Sequence, residues 1–319
     1  MRHYYDSAEE LVGNTPLLKL NNVGASEGVD IFAKLELWNP AGSVKDRTGL
    51  YMVRAAEEKG LLKPGSTIVE GTAGNMGLGI AFAAIGRGYN VVFVVPEKFS
   101  EEKQTLMRAL GARIVNTPRE DGMLGAAAKA EELLGQIPNS IALRQFENAA
   151  NPQAHYETTG PEIWRDLGGS VDYFVAGAGS GGTYTGVARY LKEQNPGIVG
   201  VLADPVGSTM GGGEHGDYDI EGIGNDFVAK TMDMSLVDQV IKVTDNEAFS
   251  ASRLIARAEG IFAGSSSGAA LSASLTLAGR LAEKGERATI VTVFPDRGDR
   301  YFSKGLYAQE SGADVDPGG

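Results

Sequence analysis

The 319-residue chain has no cysteine. Disulfides, thiolate metal sites and cysteine nucleophiles are thereby excluded. Histidine is scarce, and His3, His155 and His215 are far apart in sequence. A histidine-rich metal site or a Ser-His-Asp triad has thin support, and no metal is expected. No run of Lys or Arg occurs and the formal net charge is −12. A nucleic-acid-binding face needs clustered cations, so nucleic acid is not an expected partner. Long apolar runs are missing too. The stretch "VVFVVP" is far too short to span a bilayer, and the opening "MRHYYDSAEE" lacks the apolar core of a signal peptide. These absences predict a cytoplasmic protein with small-molecule partners and no membrane partner. An anionic ligand must be held by local donors against an unfavourable mean field.

Glycine is abundant instead, with 44 residues, about twice the usual share. The glycines cluster between alternating strand-like and helix-like segments. Val/Ile-rich runs predict strands at 67–71, 90–96, 112–117, 172–179, 198–204 and 288–296. Amphipathic patterns predict helices at 44–59, 76–87, 100–110, 121–135, 152–167, 183–194, 246–259 and 267–284. This alternation predicts an α/β protein with two lobes, each a mainly parallel twisted sheet flanked by helices. The expected units are residues 1–150, residues 151–307 and a flexible tail at 308–319, with the ligand between the lobes. Residues 205–245 show few clear elements.

Four stretches carry the chemistry. "NPAGSVKDRTG" (39–49) reads as a helix start, with Ser43 as N-cap and Asp46 completing a capping-box-like pattern. Lys45 falls in the first turn, where the helix dipole disfavours a cation. "VEGTAGNMGLG" (69–79) and "FVAGAGSGGTYTG" (174–186) are both strand, glycine turn and helix. Each offers free backbone N–H groups to an anion. The second also satisfies G-x-G-x-x-G at Gly177, Gly179 and Gly182, with Asp204 at about the distance of a ribose-binding acid. That pattern alone is weak and keeps open an NAD-dependent dehydrogenase. Against it, the Ser180 and Thr183 hydroxyls among four glycines suit one terminal phosphate better than a pyrophosphate. "FAGSSSGAALS" (262–272) opens a further helix, and one of its serines is the expected cap.

In order and spacing, these segments, from "LVGNTPLLKL" (11–20) to "PDRGDRYFS" (295–303), resemble the fold-type II pyridoxal-phosphate enzymes. Among these the likeness is to the cysteine synthase and cystathionine β-synthase group, whose fold is tryptophan synthase β-like. The resemblance covers nearly the whole chain and implies a bacterial-type catalytic core and a homodimer. It also implies roles. Lys45 corresponds to the lysine that carries pyridoxal 5′-phosphate covalently. Asn75 contacts the cofactor's 3′ oxygen. Thr72, Ala73, Gly74, Met76 and Gln145 hold the substrate α-carboxylate. Gly179, Ser180, Gly181, Gly182 and Thr183 cradle the phosphate, and Ser266 faces the pyridine nitrogen.

The implied reaction is β-replacement on serine, O-acetylserine or cysteine, with Lys45 as the base that removes the α-proton. A lysine that attacks a carbonyl must lose its charge, so the poor site for a cation becomes a good site for a neutral amine. Two hydroxyls common in the carboxylate loop are replaced here by Ala73 and Met76. "ADPVGS" (203–208) and "EGIGNDF" (221–227) look more like the cystathionine-forming branch. Glu221 stands where cysteine synthases commonly carry glutamine, and is expected to receive the ammonium group of homocysteine. The alternatives are a cysteine synthase using sulfide and an enzyme releasing hydrogen sulfide from cysteine.

Overall fold

The computed structural model describes residues 4–97 and 101–308. Residues 309–319 of the expected tail lie outside the described residues. Among these, ten strands form two sheets. The strands are β1 (Leu17–Lys19), β2 (Val29–Leu35), β3 (Thr67–Gly71), β4 (Asn90–Pro96) and β5 (Arg113–Thr117), followed by β6 (Ser140–Ile141), β7 (Tyr173–Gly177), β8 (Val199–Pro205), β9 (Gln239–Val243) and β10 (Ala288–Phe294). The helices are α1 (Lys45–Glu58), α2 (Asn75–Ala84), α3 (Glu101–Ala109), α4 (Gly122–Gln136) and α5 (Ala150–Ala154), followed by α6 (Gly160–Asp166), α7 (Gly182–Gln194), α8 (Asp245–Glu259) and α9 (Ser265–Glu283).

The smaller sheet has the order β5-β4-β3-β6 and is parallel throughout. The larger has the order β1-β2-β10-β7-β8-β9, and β1 alone runs antiparallel. The Val-rich strands β4, β8 and β10 are buried at nearly every position, as strands covered on both faces must be. Residues 17–35 belong to the larger sheet, because β2 pairs with β10 from Val29–Ala288 to Leu35–Phe294. The sheets therefore interleave along the chain instead of dividing simply at residue 150.

The sequence pattern misses β2 because Asp30 and Lys34 interrupt it. Lys34 is nevertheless fully buried, its amine held 2.9 Å from Glu162 and 3.3 Å from Asp166. The helix expected at 152–167 is three pieces, with a single π-helical turn at His155–Thr159 between α5 and α6. The weakly patterned 205–245 region contains β9. No helix among the described residues is long and apolar enough to cross a membrane.

Two helices set the depth of the site. A Cβ on Gly49 of α1 would meet the Gly79 carbonyl of α2 at 2.4 Å. Only glycine lets the two backbones touch in this way. Strands β3, β7 and β10 all end at one cleft, bordered by Gly71, Gly177 and Pro295. Such a position beyond the carboxyl ends of parallel strands is where open α/β sheets bind ligands.

Candidate active site

The cleft has a volume of about 660 Å³. Every residue singled out above as cofactor- or substrate-binding lines it except Gly182, which lies at the first position of α7. Lys45 begins α1 and is half-buried. Its Nζ makes no ion pair or hydrogen bond among the described residues. Burial lowers its pKa to about 8, and the Asp296 carboxylate acts against that fall.

The expected capping box does not form: Val44, not Ser43, is the N-cap of α1, and no side chain caps the helix. Ser43 Oγ accepts from the Lys45 N–H at 3.2 Å, but Asp46 accepts from Ala41 N–H at 2.6 Å. Ser43 forms a bridge with Asp296, and Val44 N–H donates to Pro295. The entry to the helix is thus tied to the end of β10. No serine caps α9 either: Gly264 is the N-cap, and Ser265 Oγ accepts from Glu221 N–H at 3.0 Å. Ser266, at the second position of α9, is buried and borders the cleft.

Loop 72–76 feeds the N-terminus of α2, where the first N–H groups have no partner within the helix. Asn75 Nδ2 donates to Asp296 Oδ2 at 2.6 Å, and Asn75 Oδ1 accepts from Arg300 at 2.6 Å. Its second amide hydrogen stays available. Tyr301 also donates to Asp296 Oδ2, and Arg300 donates to the Ala41 carbonyl. Asp296 is 1% exposed, and its Oδ1 has no hydrogen-bond partner. Sequence reasoning missed this carboxylate, which bears on Lys45 and Asn75 together. Its place at the end of a core strand was the available signal.

In the loop before α7 the carbonyls are taken from behind. Gly224 N–H donates to Ala178 at 2.8 Å, Asn225 to Gly179 at 2.6 Å and Thr231 to Ser180 at 2.5 Å. Gly181 is the N-cap of α7 with φ +80°, and a Cβ there would lie 2.4 Å from Met232. The arrangement removes acceptors from the mouth of the loop and leaves donors, which suits an anion. Asp204 does not serve a ribose: it is buried, with Lys242 Nζ at 2.6 Å and Gly211 N–H at 2.9 Å on Oδ2. Of the carboxylate that motivated a dehydrogenase, Oδ2 is occupied by the fold itself and Oδ1 is buried without a partner, away from the cleft.

Glu221 borders the cleft, 2.6 Å from Lys103 Nζ and 3.8 Å from Lys304 Nζ. Lys103 also lies 4.3 Å from the centre of the Tyr301 ring. Glu221 is thus already ion-paired rather than a solitary acid. Among the described residues no group of three or more histidines or carboxylates is arranged to hold a metal. A depressed lysine, a donor-lined glycine loop and a buried hydroxyl facing one cleft fit a phosphorylated aldehyde cofactor.

Comparison with known proteins agrees with that chemistry. Residues 8–296 match the family model described as pyridoxal-phosphate dependent enzyme. An O-acetylserine dependent cystathionine beta-synthase of Bacillus subtilis is 51% identical over 299 residues, covering 93% of this chain and 96% of the relative. A cysteine synthase of Helicobacter pylori is 46% identical, covering 94% and 97%. The crystal structure of an O-acetylserine dependent cystathionine beta-synthase from Helicobacter pylori superimposes with a TM-score of 0.90 at 44% identity, covering 96% of this chain and all of that one. The chain belongs to the pyridoxal-phosphate dependent enzyme family, and within it to the fold-type II cysteine synthase and cystathionine β-synthase group.

Proposed function

We propose that the enzyme replaces the β-substituent of serine, O-acetylserine or cysteine with the sulfur of homocysteine, giving cystathionine. The observation that carries this reading is the Glu221 carboxylate at the cleft, flanked by Lys103 and Lys304. An amino-acid nucleophile brings an ammonium and a carboxylate, and this trio offers a partner for each. Sulfide brings neither. The Bacillus subtilis relative supports the same reading.

When bound, pyridoxal phosphate withdraws electrons from Cα and acidifies the α-proton. Lys45 would carry it, the 179–183 loop would hold its phosphate, and Asn75 would use its free amide hydrogen on the 3′ oxygen. Ser266 would present a neutral hydroxyl to the ring nitrogen. The N–H groups of loop 72–76, with Gln145, would orient the substrate carboxylate. Once the substrate amine has taken its place, the freed Lys45 amine would take the proton from Cα as general base. The β-substituent would leave with its bonding electron pair, the thiol sulfur would add at Cβ and give up its proton to the leaving group or to solvent, and Lys45 would return the first proton to Cα. We extend the reading to a homodimer, which sedimentation would test.

Serine and O-acetylserine, incubated in turn with homocysteine and with sulfide, and cysteine with homocysteine, distinguish the outcomes by product mass. Cystathionine is expected from homocysteine. Cysteine from sulfide with no cystathionine would overturn the reading in favour of a cysteine synthase, the second reading, which the Helicobacter pylori relative supports.

A further inference from the structure

We propose that His155 is a positioning residue for the anion-binding loop: as the Nε2–H tautomer it donates to Thr183 and leaves the Thr183 hydroxyl proton facing the cleft. The inference rests on reading loop 179–183 as the seat of the phosphate.

The tautomer follows from a chain of hydrogen bonds with one fixed end. The Gln145 carbonyl can only accept, and Asn151 Nδ2 lies 2.8 Å from it. The same Nδ2 donates to Ser180 Oγ at 2.9 Å. The orientation of the Asn151 amide is therefore set, and its Oδ1 faces Thr48 Oγ1 at 3.4 Å. An amide oxygen has no proton to give, so Thr48 is the donor in that pair. Having used its proton there, the Thr48 oxygen accepts from His155 Nε2, 3.1 Å away. Nε2 thus carries the hydrogen. Nδ1, 2.9 Å from Thr159 Oγ1, is the bare nitrogen and accepts from that hydroxyl.

Thr183 Oγ1 lies 3.2 Å from the same Nε2. It shares the one Nε2 hydrogen with Thr48 in a bifurcated bond, and since Nε2 has no lone pair to offer, the Thr183 proton is left for the cleft that Thr183 lines. Ser180 stands the same way, accepting from Asn151 behind and keeping its proton for the front. With the opposite tautomer, Nε2 would draw the Thr183 proton backward and turn oxygen lone pairs toward an anion. His155 is fully buried, and its neighbours Lys45 and Arg47 add to burial in holding it neutral, against the opposing charge of Glu162. Its ring therefore carries a single N–H. The local backbone holds the ring in place, because the π turn at His155–Thr159 packs against α7 at Gly186, where a Cβ would come within 2.7 Å of His155 Cβ. Single π turns are frequent at functional sites.

Two measurements test the inference. In the ¹⁵N-labelled holoenzyme, two-bond ¹H–¹⁵N correlations report each imidazole, and with three histidines the His155→Gln spectrum identifies the missing one. A protonated Nε2 and bare Nδ1 are expected; the reverse overturns the inference without any variant needing to fold. In the second, cofactor-free protein is titrated with pyridoxal 5′-phosphate and with pyridoxal. Thr183→Val and His155→Leu should each cut the preference for the phosphorylated form by about tenfold, the worth of a charge-assisted hydrogen bond. His155→Gln, which keeps a donor near Nε2, should retain most of it. If Thr183→Val leaves the preference intact, the phosphate reading of the loop falls and the proposal with it. If Thr183→Val lowers it while His155→Leu does not, the loop reading stands and the role of His155 is overturned.

Discussion

Gly79 of α2 lies against the Lys45 carbonyl so closely that a Cβ on Gly79 would sit 2.2 Å from that oxygen. The backbone that bears the reactive amine therefore rests directly on the helix that follows the 72–76 loop. Gly79→Ala should push the two helices apart. Overpacking of this kind costs about 1–3 kcal/mol, measured as a lower midpoint in urea. Because the displaced atoms belong to Lys45, the variant should also retain less cofactor after gel filtration. A variant that is destabilised but fully loaded would show that the contact serves packing alone.

The Lys45 amine titrates near 8 in the folded protein instead of 10.5. Between those values the unfolded chain holds a proton that the folded chain has released, so stability rises with pH across the window. Cofactor-free wild type should gain stability relative to Lys45→Met between pH 8 and pH 10, and be penalised below pH 8. Urea unfolding of both proteins at several pH values checks this; a constant difference contradicts it. Since the Asp296 carboxylate raises the Lys45 pKa, Asp296→Asn should extend the window to lower pH while its upper edge stays in place.

Arg47 lies buried between two carboxylates, 2.8 Å from Glu36 and 2.6 Å from Glu162. Burial pushes both acids up, but Arg47 and Lys34 outweigh it and hold them below the ordinary glutamate range. Their contribution is present above the unfolded glutamate pKa and is lost as pH falls through the lower folded values. Arg47→Leu should cost about 3–5 kcal/mol by leaving buried charge uncompensated. It should also move acid unfolding to higher pH. Pairing Arg47→Leu with Glu36→Met should cost less than Arg47→Leu alone, which a double-mutant cycle would read.

Glu221→Gln separates the two nucleophiles. Loss of the carboxylate should raise KM for homocysteine by about tenfold, the scale of one charged hydrogen bond. The rate with sulfide should stay within about twofold, because sulfide has no ammonium to lose. Equal effects on both would place Glu221 in the general structure of the cleft mouth and not in nucleophile recognition.

The glycine turns and Lys45 were legible because each follows a short apolar strand or opens a helix, and local pattern carries that information. What escaped depended on partners distant in sequence. Lys34 hid β2, since nothing near it announces that Glu162 and Asp166 will neutralise it. Asp204 imitated a ribose-binding acid until Lys242 and Gly211 were seen to use it. Asp296 resembles the end of a strand and a turn, and its bond to Asn75 arises only when β10 meets α2. Asp46 is the exception: it does not complete the expected local motif, and its carboxylate goes to the nearby Ala41 N–H instead.

The pairing of β2 with both β1 and β10 also sets a timetable for synthesis. The smaller sheet needs nothing beyond residue 141 and can close while the ribosome is still at work. The first strands made are joined on their inner edge by the last, which ends at Phe294. They must wait with that edge open while residues 36–287 are made. Non-local pairing of this kind is slow and exposes unpaired edges, so β1 and β2 are strands whose pairing is completed late in folding.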